Sequence, residues 1–199
     1  MEKQLIISVG REFGCHGLTI SEALAERFGL PLYDSNLLEH IAEEKNVHHG
    51  HLKKYDELPR TRVITRRVRG YSSSLRENVA DMQFKFLKER ASEGQSFVVV
   101  GRCADSVLKG YPGLVTIFLL GDRPDKVRRV MKDYHLSEED ATNKMDRVDR
   151  GRKMYHNYYC KGKWGDSRCY DLSVNVSRMG TDRTIDFLES YIKERMKYF

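Results

Sequence analysis

The residues that most plainly suggest chemistry are the eight of GREFGCHG, positions 10–17, a turn with three glycines between an apolar run and a run of helical spacing. At a strand–turn–helix junction, main-chain N–H groups gather at the positive end of the helix dipole, an arrangement that suits a phosphate. Gly14 and Gly17 allow the backbone to wrap closely, because a side chain at either position would stand where the anion sits. Thr19 falls in the first helical turn, where its hydroxyl would reach Mg²⁺ or a phosphate oxygen. The regular pattern GxxxxGK[ST] is not met. Gly17 stands where its lysine is expected and Leu18 follows. The competing reading of the turn is a tight strand–helix connection with no ligand.

Other reactive side chains are weaker pointers. RTRVITRRVR, residues 60–69, holds five arginines. It reads first as a solvated face, then as a site for an acceptor phosphate, and only third as a nucleic-acid contact, since no recognised nucleic-acid motif accompanies the charge. His48, His49 and His51 sit on a polar stretch with no nearby cysteine and little acidic support, so exposed side chains are expected there rather than a metal site. Tyr155, Tyr158, Tyr159 and Trp164 read as packing, with base stacking as the alternative.

These residues need a frame. The chain has 199 residues, 40% hydrophobic and 32% charged, which suits one globular domain. Net charge is +6 and the sequence pI about 9.1, consistent with solubility, local phosphate binding or a polyanion partner. No apolar run approaches the roughly 18 residues of a membrane span. MEKQLIISVGREFG shows no export signal, so a cytoplasmic protein is expected. Cys15, Cys103, Cys160 and Cys169 form no CxxC pair, and reduced thiols are the default.

Gln4–Val9 reads as a buried strand. Ile20, Ala23, Leu24 and Phe28 then mark a helix ended by Gly29. Leu30–Tyr33 is a short extended piece, and Asp34 or Ser35 caps a helix whose face is Leu37, Leu38, Ile41 and Ala42. Asn46–Tyr71 reads as an irregular, partly helical surface excursion, and Ser73–Glu93 as a long helix. Ser96–Val100 is the third strand, followed by Gly101-Arg102 and a helix to about Lys109. Leu114–Leu120 is the fourth strand. Asp122–His135 is a basic helix with Pro124 in its first turn. Ser137 opens a helix to about Tyr159, although Asp140 replaces the Glu or Gln of a full capping box. Asp171–Val176 is the fifth strand and Thr181–Lys197 a C-terminal amphipathic helix. Strand and helix alternate five times, which argues for an α/β fold with a parallel sheet and helices on both faces.

Three segments resemble one family. ISVGREFGCHGLTISEALAERFGLPLYD is similar to the opening of cytidylate kinase-like proteins, which carry an SREFGSGG-type loop. VVVGRCADSVL resembles their third strand and GR motif. DRVDRGRKMYHNYYCKGKWGDSRCYDLSVNVSRMG resembles their lid and final strand. The resemblance implies a P-loop nucleoside monophosphate kinase fold: a five-stranded parallel sheet in order 2-3-1-4-5, flanked by helices. It implies a single domain over 1–199, with a monophosphate-binding insertion at 36–93 and a lid at 137–168. It implies Mg²⁺-dependent transfer of the ATP γ-phosphoryl group to a nucleoside monophosphate, CMP or dCMP in the better-known members. Such transfer rests on positioning and charge neutralisation, work that suits arginine.

By the same resemblance Gly14, Cys15, His16, Gly17 and Thr19 line the donor phosphates. Asp34, Ser35, Arg102 and Asp149 hold the acceptor. Arg152 completes an Asp-x-x-Arg in the lid, and the flanking Arg147 and Arg150 reach toward the transferring group. Asp166 fits the family pattern without an assigned role. The departure is the missing loop lysine, and many relatives have arginine or histidine where Leu18 stands. Arg11, His16 or a lid arginine would have to compensate. Without compensation, the expectation becomes nucleotide binding with weak or no transfer.

Overall fold

Six residues, IISVGR, form the central strand β1 (Ile6–Arg11), with Ile6, Ile7 and Val9 fully buried. The computed structural model describes residues 3–45, 67–68, 71–72 and 75–199. In chain order β1 is followed by α1 (Gly17–Phe28), β2 (Leu32–Tyr33), α2 (Leu37–Lys45), β3 (Arg67–Val68), β4 (Tyr71–Ser72), α3 (Leu75–Ser92), β5 (Phe97–Val100) and α4 (Ala104–Val107). Then come β6 (Leu114–Leu120), α5 (Arg123–Tyr134), α6 (Glu138–Tyr159), β7 (Leu172–Asn175), α7 (Val176–Met179) and α8 (Thr181–Arg195). β2, β5, β1, β6 and β7 make one parallel sheet in that order, which is 2-3-1-4-5 when its five strands are counted alone. Ile6 lies opposite Phe97 on one side and Leu114 on the other.

Strand alternation splits the core into two layers. Ile7, Val9, Val98, Ile117 and Leu119 pack against Ile20 and Leu24 of α1 and Leu188 and Ile192 of α8. Ile6, Phe97 and Val99 face the other way, onto Leu37, Leu38 and Ile41 of α2 and Val79, Phe86 and Leu87 of α3. A third cluster joins α5 to α6 through Val127, Val130, Ala141 and Met145, with Phe13 of the glycine turn packed on it.

Local signals end the elements as expected. Gly29 closes α1 in left-handed backbone, φ 63°, and the Leu30 N–H reaches back to Ala25 O at 2.9 Å. α2 is a correction: Asn36, not Asp34 or Ser35, stands at its N-cap, its main-chain carbonyl accepting from the Glu39 and His40 N–H groups, while the Asp34 carboxylate accepts from the Asn36 N–H at 2.9 Å in the turn before it. Ser137 caps α6 by accepting from Asp140 N–H at 3.1 Å, and the Asp140 carboxylate accepts from the Ser137 hydroxyl at 2.7 Å. Two further expectations are corrected. The helix after Arg102 is one turn, not a run to Lys109, because Cys103 before it holds left-handed backbone and Leu108 after it leaves helical backbone, φ −101° and ψ 11°. Val176 leaves the sheet and begins a helix, because Asn175 accepts from the Ser177 N–H and caps it.

Within the expected surface excursion, Arg67–Val68 and Tyr71–Ser72 pair as an antiparallel ladder. His48, His49 and His51, and the side chains of the 60–69 arginine run, lie outside the described residues. No helix among the described residues is long and apolar enough to cross a membrane.

Candidate functional site

The sheet's strands all point their carboxyl ends toward one edge, where ligands of open α/β sheets bind. A cleft of about 420 Å³ opens there, at the end of β1 and the start of α1. The first turn of α1, whose N–H groups no preceding turn satisfies, lines it through Gly17, Leu18 and Thr19. Four arginines line this cleft, Arg11, Arg102, Arg129 and Arg152. They come from β1, the turn after β5, α5 and α6. Asp34, Ser35, Asp133, Phe13 and Tyr134 complete the wall.

The turn is held from outside by side chains. Asp149 of α6 accepts from the Phe13 N–H at 2.7 Å. Arg152, one helical turn on, donates to the carbonyl oxygen of Arg11 at 3.2 Å. Arg129 donates to the carbonyl oxygen of Gly14. Lys126 Nζ stands 2.6 Å from Glu12 Oε2. Both glycines are required by packing inside the protein. A Cβ on Gly17 would stand 2.7 Å from Cβ and Cγ of Arg11, and one on Gly14 would stand 3.0 Å from Val130 Cγ2. So these glycines have a packing reason within the protein itself: they admit Arg11 and α5.

Electrostatics follow from burial. Burial pushes the Asp149 carboxyl up, against the pull of the Phe13 N–H and Arg152. Burial, then the Arg129 charge, lowers His16, which keeps its ring neutral at pH 7. His16 itself sits in left-handed backbone, φ 59°, at the N-cap of α1. Burial also pulls Arg129 down.

The expected residues divide. Arg11, Gly14, His16, Gly17, Thr19, Asp34, Ser35, Arg102 and Arg152 share the cleft. Arg102 is 2% exposed, and its guanidinium donates to the carbonyl oxygen of Asp34 at 3.0 Å. Cys15 does not present its side chain to the cleft. Its Sγ donates to Glu12 O at 3.0 Å within the core, and burial raises its pKa to about 11. Asp149 braces the turn through Phe13 instead of lining the acceptor side. Arg147 and Arg150 are exposed and outside the cleft wall. Their positions on α6 explain this, since neither is three or four residues from Arg152, the spacing that shares a helix face. Trp164 packs edge-on to Phe118, 5.2 Å between ring centroids, and Tyr159 meets Tyr158 and Phe84 edge-on and Tyr155 at a tilt. Tyr155 is buried, as packing requires, whereas Tyr158 is exposed. Asp166, left without a role, caps a short 3₁₀ turn by accepting from the Arg168 N–H at 3.1 Å.

The aromatics at the mouth are instead Phe13 and Tyr134, 5.6 Å apart. They and Arg129 are missing from the residues singled out by sequence. The signal for Arg129 was its spacing: three residues after buried Lys126 on an otherwise basic helix.

Comparison with known proteins gives the site its context. A search of curated proteins finds no match. A solved structure from Eubacterium ventriosum ATCC 27560, described as an uncharacterized protein, is 34% identical over 96% of this chain and 99% of its own, with TM-score 0.76. The shikimate kinase from Bacteroides thetaiotaomicron (15% identity, 95% of this chain and 98% of that one, TM-score 0.56) shares the fold. So does a gluconokinase from Sinorhizobium meliloti 1021, at 15% identity over 99% and 96% and TM-score 0.57. The model of the cytidylate kinase-like family matches residues 6–178, and with the sheet order and the β1–α1 cleft this establishes that the chain belongs to the cytidylate kinase-like family.

Proposed function

We propose that the protein transfers the γ-phosphoryl group of ATP to a nucleoside monophosphate, with CMP or dCMP the favoured acceptor. One observation carries the reading: four arginines from four separate segments converge on the glycine turn in a single cleft. A transferring phosphoryl group spreads negative charge over its oxygens, and rigid guanidinium forks neutralise it without consuming a proton. The turn and Arg129 take the donor phosphates. Arg102, braced on Asp34, takes the acceptor phosphate. Arg152, held to the turn, lies between them in role.

Among the described residues no group of three or more His, Cys, Asp or Glu side chains could hold a metal ion. Mg²⁺ would be carried by the nucleotide's own phosphates and water, with the exposed Thr19 on the cleft wall as its protein oxygen. When bound, the ion neutralises phosphate charge.

A second reading has its own support. Leu18 stands on the cleft wall in place of a cation, and the nearby Lys126 is engaged by Glu12. A site so arranged would bind nucleotide and turn over slowly. An acceptor panel with ATP and Mg²⁺ separates the two. Turnover with CMP or dCMP supports the kinase reading, and tight ATP binding with no turnover on any monophosphate supports the second. Arg102→Ala should raise the acceptor KM more than the ATP KM, and an equal rise in both would remove its assigned role. Salt-sensitive binding of a random oligonucleotide, without turnover, would instead favour a nucleic-acid role for the 60–69 run.

A further inference from the structure

Two arginines of the cleft come from segments far apart in the chain, Arg102 from the turn after β5 and Arg152 from α6. Each has a companion further along its own segment. Asp105 follows Arg102 by three residues, in the single turn of α4. His156 follows Arg152 by four on α6, the spacing that shares a helix face. The two companions meet. His156 Nε2 lies 2.9 Å from Asp105 Oδ2, with side-chain exposures of 6% and 12%. An ionised carboxylate can only accept, so the ring nitrogen donates. Phosphoryl transfer as proposed above uses neither residue.

The pair stands where apolar packing would serve. The same two segments already share an apolar cluster, in which Cys103 of the turn and Tyr155 and Cys160 at the end of α6 pack with Ala80 of α3. A buried polar pair gains little net stability over apolar groups of the same volume, because both partners lose their water. This one carries a further cost, since His156 Nδ1 is buried with no hydrogen-bond partner. What a directional bond adds to apolar contact is a fixed register between the segments that bear it. That register bears directly on the site. A cavity of about 20 Å³, room for one water molecule, is lined by Arg11, Arg102, Arg152, Tyr155 and His156. Packing therefore leaves space beside the arginines. Arg102 donates to the Asp34 carbonyl at 3.0 Å and Arg152 to the Arg11 carbonyl at 3.2 Å. Each of those bonds ties its arginine to a different wall of the cleft, and the Asp105–His156 bond ties the two segments to each other.

We propose that Asp105 and His156 are a positioning pair, whose hydrogen bond sets the separation of Arg102 and Arg152 and with it the grip of the cleft on a chain of phosphates. Two guanidinium forks hold one polyphosphate together when their spacing matches that of its oxygens. Without the bond each arginine still lines the cleft, but the two no longer hold that spacing. The consequence for binding needs the phosphate cleft alone. The consequence for turnover rests on the kinase reading, where a misplacement of about 1 Å slows transfer by up to about a hundredfold.

The test titrates the full chain with inorganic tripolyphosphate in a calorimeter, which needs no turnover. Asp105→Leu combined with His156→Leu replaces both partners by apolar side chains and strands no polar group. The double variant should melt within about 4 °C of wild type. Its Kd for tripolyphosphate should rise about tenfold, the loss of one charge-assisted hydrogen bond. His156→Gln keeps an N–H that can donate to Asp105, and should bind within about threefold of wild type. A pair that only stabilised the fold would move Tm and leave Kd alone. An unchanged Kd in the double variant, or His156→Gln as weak as the double variant, overturns the proposal. If the double variant does not fold by circular dichroism, Asp105→Asn decides. It keeps the side-chain shape and removes the acceptor's charge, so its Kd should rise about threefold, and an unchanged Kd overturns the proposal. Turnover is read separately. Where wild type phosphorylates CMP or dCMP, the double variant should lose at least about tenfold in kcat, and an unchanged kcat overturns the link to transfer. A wild type that turns over no acceptor refutes the kinase reading, and the tripolyphosphate result then decides the pair.

Discussion

The ion pair between Glu12 and Lys126 fastens α5 beneath the glycine turn, and its two partners should not be equivalent. Lys126 Nζ and Glu12 Oε2 are 2.6 Å apart, with side-chain exposures of 8% and 27%. Glu12 Oε2 also accepts from the Gly121 N–H at 3.3 Å. The Lys126 stem packs so tightly that a Cβ on Gly121 would stand 3.2 Å from its Cγ. Removing one partner of a fully buried pair costs roughly 3–5 kcal/mol, mainly because the other charge is left without compensation. Lys126→Met keeps the stem and leaves behind Glu12, which reaches water and retains its Gly121 bond, so its cost should fall to about 1–2 kcal/mol. Glu12→Gln leaves behind the nearly enclosed ammonium with one amide oxygen, and its cost should be about 3 kcal/mol. For a chain of this size 1 kcal/mol moves Tm by roughly 2–4 °C, so the shifts should be about 2–8 °C and 6–12 °C. The double variant strands no charge and should be more stable than Glu12→Gln alone. Thermal melts followed by circular dichroism, with urea unfolding to check that m is unchanged, measure all three. A larger loss for Lys126→Met than for Glu12→Gln, or additive losses in the double variant, would refute the burial argument.

Gly17→Ala should cost about 1–3 kcal/mol of stability through overpacking against Arg11, and should weaken ATP binding because Arg11 is displaced from the cleft. Calorimetric titration checks this, and a folded variant with unchanged affinity would contradict it. Cys15 supplies a pH dependence. Its folded pKa, about 11, lies above its ordinary 9.0, so the unfolded chain loses the proton first. Stability should therefore decline between about pH 9 and 11, by up to about 2–3 kcal/mol from this group, and be intact below pH 9. Urea unfolding of wild type against Cys15→Ala isolates the effect, and parallel profiles would exclude it. Ser137→Ala removes the N-cap of α6 and should cost about 1 kcal/mol, seen as a fall of roughly 2–4 °C in Tm.

What the sequence determined by itself was the frame. Period-two and period-3.6 apolar patterns depend on neighbours along the chain, so β6 was legible as Leu114–Leu120, and the ends of α1 and α6 at Gly29 and Ser137. Alternation of strand and helix was enough for a parallel sheet, because that connectivity leaves few ways to bury both faces. The glycine turn was legible for the same local reason. What only the tertiary structure decided was which side chains meet at that turn. Arg129 lies 115 residues from the Gly14 carbonyl it binds, and Asp149 lies 136 residues from the Phe13 N–H. Those contacts exist because Val130 and Met145 hold α5 and α6 together over Phe13. Cys15 and His16 are adjacent in sequence, yet one thiol faces the core and the neighbouring ring lines the cleft. Arg150 and Arg152 stand two residues apart, and helix geometry turns one outward and one to the site. Residue type announces that a phosphate can be held; the direction of each side chain is set by packing between distant segments, and no local pattern encodes it.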